Sequence, residues 1–140
     1  MSVISLMVFD PAKLPTLELI EAEAANGGDQ ITFPDHADLL QHTGYLPAIV
    51  NGRETGFEHY FEPIPAGALP DEVMAFGSHH AVTRTGSDFE EGRAALVYLR
   101  VLSRLTGGAY LYPDDGIVVP PEAVQGYLAE QITEYGEDIQ

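Results

Sequence analysis

Apolar residues along this chain follow two rhythms, short runs or alternations and longer repeats of three and four, and turn residues separate them. Ser2 to Phe9 (SVISLMVF) is apolar and β-branched and stops at Asp10-Pro11, which predicts a buried strand. A helix opens after it, at Asp10 or at the Pro15 step. Leu14, Leu17, Ile20 and Ala24 form its apolar face, Glu18, Glu21 and Glu23 lie elsewhere, and Asn26-Gly27-Gly28 stops it. Ile31-Thr32-Phe33 reads as a short extended piece, and Asp35 to Thr43 as one or two helical turns ended by Gly44. Tyr45 to Val50 and Gly56 to Glu62 are apolar-aromatic runs around Asn51-Gly52, a strong short-range hairpin signal. Alternation in the second run puts Phe57, His59 and Phe61 toward the core and Glu58, Tyr60 and Glu62 toward water. Pro63 to Pro70 is a loop, and Val73 to Thr83 predicts another strand with Met74, Phe76 and Val82 on one face.

Ser87-Asp88-Phe89-Glu90 matches the S-x-x-E capping box, in which two side chains satisfy the first orphan amides of a helix. The helix it opens runs to about Thr106 and ends at Gly107-Gly108. Phe89, Leu96, Leu99, Leu102 and Leu105 give it a broad buried stripe, with Arg93, Arg100 and Arg104 roughly on one side. Ala109 to Tyr112 and Ile117 to Val119 are strands around the turn Pro113-Asp114-Asp115-Gly116. Pro120-Pro121 starts a last helix whose stripe is Val124, Tyr127, Leu128, Ile132 and Tyr135; Gly136 closes it and residues 137–140 fray. Strands and helices do not alternate strictly. The expected class is therefore α+β: a mainly antiparallel sheet, with a central helix (about residues 87–106) and the C-terminal helix packed on it, in a single domain spanning residues 1–140.

Charge narrows the function. Twenty-two acidic residues against 6 basic ones give a net charge of −16, which repels a phosphate backbone and an anionic membrane surface. No apolar run reaches the 18 or so residues of a membrane span. Met1 to Asp10 has no Lys or Arg and no long apolar core, so it reads as a strand and not as a secretory leader. Cysteine is absent, which removes disulfides, thiol nucleophiles and thiolate metal sites and fits a cytoplasmic chain. Lys13 is the sole lysine; salt adaptation and a functional acidic face are both readings of that balance.

Chemistry is nearly silent. His79 and His80 are adjacent in an expected strand and point to opposite faces, Glu58 and His59 are split in the same way, and His36 and His42 are awkwardly spaced on a helix, so no convergent metal site is expected. There is no G-x-S-x-G elbow, and Gly27-Gly28 and Gly107-Gly108 follow helices instead of preceding them, as a phosphate loop would. Glu58 and Glu62 stand about 13 Å apart by strand rise, too far for a glycosidase pair. No catalytic residue, metal ligand or cofactor is expected. A partner surface is: Glu54, Glu58 and Glu62 near the hairpin with Tyr60 as an aromatic anchor, and Asp114 and Asp115 on their turn as a second patch.

The segments GFEHYFEPI (Gly56 to Ile64) and SDFEEGRAALVYLRVLSRLTGGAYLYPDDG (Ser87 to Gly116) show a long helix ending in Gly-Gly, a short strand and an acidic turn. Over about half the chain this style resembles the immunity proteins of bacterial polymorphic toxin systems. The resemblance implies binding to a cognate toxin domain and occlusion of its active site, without catalysis. Acidic side chains would then face a basic cleft in an enzyme that handles nucleic acid or NAD. Two other readings stay open: a small enzyme whose site joins His59 or His79 to distant carboxylates, and a homodimeric accessory or scaffold protein.

Overall fold

The computed structural model describes residues 3–35, 37–65, 67–86 and 88–139, and their side chains except at 79 and 135–139. Among the described residues seven strands are formed: β1 (Val3–Phe9), β2 (Ile31–Thr32), β3 (Thr43–Val50), β4 (Arg53–Pro63), β5 (His79–Thr85), β6 (Ala109–Tyr112) and β7 (Ile117–Val119). They pair antiparallel into one sheet of order β2-β3-β4-β5-β1-β6-β7. Helices α1 (Leu17–Asn26), α3 (Phe89–Thr106) and α4 (Pro121–Ile139) accompany it, with a single helical turn α2 (Asp71–Met74). This is the α+β class that the pattern predicts, with a central and a C-terminal helix.

β1 explains its own composition. It lies between β5 and β6, and both of its faces are covered. Met7 and Phe9 enter the main core on the helix side, with Leu46, Phe57, Tyr98 and Leu99. Leu6 and Val8 enter a second cluster on the other side, under Ile64, Leu69, Val73 and Met74. A strand buried twice cannot alternate with polar residues, hence its continuous apolar run. α3 is buried in the same thorough way: Leu96, Leu99 and Leu102 are 8%, 0% and 0% exposed. Phe89, expected in that stripe, is instead half exposed at the first turn.

Local chemistry sets the boundaries. Asn51 (φ 50°) and Gly52 (φ 84°) both take left-handed backbone, the geometry of a type I′ hairpin. Asp10 caps a 3-10 turn at Pro11–Lys13, and Thr16 caps α1, accepting from the Leu19 amide at 3.2 Å. Asp88 caps α3, accepting from the Glu90 amide at 2.7 Å and the Glu91 amide at 3.4 Å. Ser87, the expected cap, lies outside the described residues. Gly107 closes α3 in left-handed backbone.

Three expected element assignments are corrected as well. Residues 35 and 37–42 form turns and irregular loop, not a helix, and Thr43 already belongs to β3: Asp38 accepts from the Leu40 amide at 3.0 Å, a local bond that competes with helical pairing. His36 lies outside the described residues. Residues 73–83 are not one strand, because Asp71–Met74 is helical and pairing starts only at His79. Val73 and Met74 are apolar because they cover the back of the sheet, and Phe76 is exposed. Finally, α4 does not stop at Gly136 but continues to Ile139.

Candidate functional site

The segment 64–77 covers only part of the sheet surface opposite the helices. Toward β3 and β4 that surface is open, and it carries four of the acidic-patch candidates. Glu54, Glu58, Tyr60 and Glu62 alternate along β4 away from Phe57, which is buried in the core. Tyr60 donates a hydrogen bond to Glu58 Oε1 at 2.7 Å, and this bond is the main reason the Tyr60 phenol is shifted up. The register adds neighbours across the ladder. Tyr45 of β3 and Arg84 of β5 flank Glu58, while His80 of β5 lies opposite Glu62 with Nε2 3.3 Å from its carboxylate. Glu54 lies opposite Ile49.

Tyr45 is 52% exposed, and its ring lies where a side chain at Gly56 would be. A Cβ there would collide with the Tyr45 hydroxyl end and with the Leu46 carbonyl, so only glycine lets the ring lie flat on the strand. The face therefore presents two tyrosines, three carboxylates and Arg84. It can accept hydrogen bonds and pack an apolar partner group. Tyr45 and Arg84 were not singled out from sequence, although counting back from the Asn51-Gly52 turn places Tyr45 opposite Glu58.

Asp114 and Asp115 are not brought to this face. They are exposed on the 3-10 turn after β6, three strand steps from β4, or roughly 14 Å at strand spacing. Asp115 borders a cavity on the helix side of the sheet.

The described histidines do not converge on one site, although His42 lies near enough to His59 to add to the lowering of its pKa. His59 is wholly buried on the helix side, with Nε2 2.7 Å from the Tyr98 hydroxyl and no hydrogen-bond partner at Nδ1; burial lowers its pKa to about 3. Its partner is a phenol, not a carboxylate. His42 Nε2 is shared between the Gly44 and Tyr45 carbonyls at 3.2 and 3.1 Å. The His79 side chain lies outside the described residues. Among those described, no three His, Asp or Glu side chains are placed to hold a metal ion, and no helix is long and apolar enough to cross a membrane.

Arg100 and Arg104 of α3 reach α1 and its C-terminal loop. Arg100 pairs with Asp29 at 2.5 Å and Arg104 with Glu23 at 3.5 Å, while Arg53 pairs with Glu90 at the start of α3. The chain matches no protein-family model, no curated protein and no solved structure.

Proposed function

We propose that this chain is a cytoplasmic immunity protein that binds a cognate toxin and neutralises it stoichiometrically, without catalysis, by covering the basic cleft of an enzyme acting on nucleic acid or NAD. The observation that carries this reading is the disposition of charge. Three of the six basic side chains, Arg53, Arg100 and Arg104, are engaged in ion pairs within the fold with Glu90, Asp29 and Glu23, so three basic residues remain against nineteen acidic ones. A surface of that sign steers a basic partner and disfavours nucleic acid and anionic membranes. The open β3–β4 face supports the same reading. Tyr45 and Tyr60 are the type of side chain that anchors interfaces, and Glu54, Glu58 and Glu62 surround them with charge that speeds encounter.

The test is affinity capture from the native cells with the wild type and the Glu58→Lys/Glu62→Lys variant side by side. The wild type should hold one basic protein in a one-to-one complex, and the variant should release it. Expression of that protein alone should stop growth, and co-expression of the wild-type chain should restore it. Equal retention by the variant would remove this face from the account. A partner that is harmless when expressed alone would overturn the immunity reading itself.

A further inference from the structure

Small residues meet across one part of the core. Elsewhere on the helix side, the space between sheet and helices is filled by Phe9, Phe33, Phe57 and Tyr98. At the other end the sheet presents Ser5, Thr83 and Thr85, and α3 presents Gly92 and Ala95 above them. The result is a cavity of about 310 Å³, closed on its far side by Tyr110, Tyr112 and Tyr127 and bordered by Asp115 and Gln131. That volume is at the lower end for small-molecule sites and suits a single ring.

We infer that this cavity binds a neutral, polyhydroxylated ring the size of a monosaccharide. The inference is independent of the immunity reading. The floor is hydroxylic and buried: Ser5, Thr83, Thr85 and Tyr110 are 6%, 1%, 5% and 3% exposed. Ser5 Oγ and the Tyr110 hydroxyl share a hydrogen bond of 3.1 Å, and the Thr83 hydroxyl donates to the Ser5 carbonyl at 3.4 Å, which leaves the Thr83 oxygen lone pairs as acceptors. Hydroxyls and the Gln131 amide both donate and accept, as a polyol does, and tyrosine rings offer apolar faces to its C–H groups. Among the described residues no lining side chain is basic, so a phosphate or carboxylate would find no counter-charge from them in a protein of net charge −16. Among the described residues the one lining carboxylate, Asp115, is on the exposed turn and not at the floor, so a buried ammonium would find no counter-charge at the floor.

The experiment is a titration of the isotope-labelled full chain, followed by amide NMR, with methyl glucoside and myo-inositol, and separately with glucose 6-phosphate and choline. A neutral polyol should give saturable shifts at Ser5, Thr83, Thr85 and Tyr110 at concentrations up to about 50 mM, within the range of weak small-molecule affinity. Thr83→Val should weaken that binding by roughly threefold to tenfold, the share of one hydrogen bond. Ala95→Leu, which fills the space, should abolish it. Absence of saturable shifts with either neutral polyol would overturn the proposal in the wild type alone, whatever the variants do. Tighter binding of choline, equal binding of glucose 6-phosphate, or unchanged affinity in a folded Ala95→Leu variant would also overturn it.

Discussion

Leu99 has no exposed surface, and it lies where α3 crosses the sheet. Leu99→Ala should cost about 2–5 kcal/mol in a urea titration, the range for a leucine truncated in a core that relaxes incompletely. A loss below about 0.5 kcal/mol would contradict the packing. His59 makes a different claim. Its pKa is lowered to about 3 by burial, against about 6.5 in an unfolded chain, so the unfolded state binds the proton first. Stability from neutral His59 is complete above about pH 6.5 and falls as the pH drops toward 3, by as much as about 1.4 kcal/mol per unit. Between pH 7 and 5 the wild type should lose about 2 kcal/mol more than His59→Gln, measured by urea midpoints at each pH. Parallel losses would show that His59 is not held neutral. Alternation along β4 made the burial of His59 legible. Its bond to Tyr98 was not, because the partner lies 39 positions away and is brought in by the crossing of α3.

Elements were legible where one local signal had no competitor. The Asn51-Gly52 hairpin, the Gly107 end of α3 and the Pro113–Gly116 turn all follow from turn chemistry. The stretch 73–83 misled because apolar residues that cover a sheet from outside resemble residues of a strand within it. Ser87 and Asp88 are both good caps, and pattern alone does not choose between neighbours. Two glycines test the observed elements in opposite directions. A Cβ on Gly77 would run into the Phe9 backbone, so Gly77→Ala should destabilise by about 1–3 kcal/mol as the covering segment is pushed off β1. Gly126 is exposed in α4 with open space around its Cα, and Gly126→Ala should stabilise by about 0.5–1 kcal/mol. Thermal melts of both variants check the pair, and a shift of the same sign in both would contradict the placement of one of them.

At the scale of the molecule, the fold class was legible from the order of elements, whereas the strand order was not. β1 pairs with β5 and β6, partners about 80 and 105 residues later, and no local pattern encodes that. The edge strands are short, two residues in β2 and three in β7, which leaves little edge to extend and favours the sheet face as the surface of the proposed interaction. On the proposed reading, long-range charge would govern encounter. Raising salt from about 0.05 to 0.5 M, which shortens the screening length about threefold, should slow association of the captured partner with the wild type in stopped flow. Glu58→Lys/Glu62→Lys should slow it at low salt already, and an association rate that ignores both changes would contradict electrostatic steering. The inhibitor claim itself is tested most directly by titrating the partner's activity with this protein, at concentrations well above the dissociation constant. The account predicts a linear fall that reaches zero at one equivalent. Activity that persists beyond one equivalent, or that vanishes at a small fraction of one as it would under a catalyst, would contradict it.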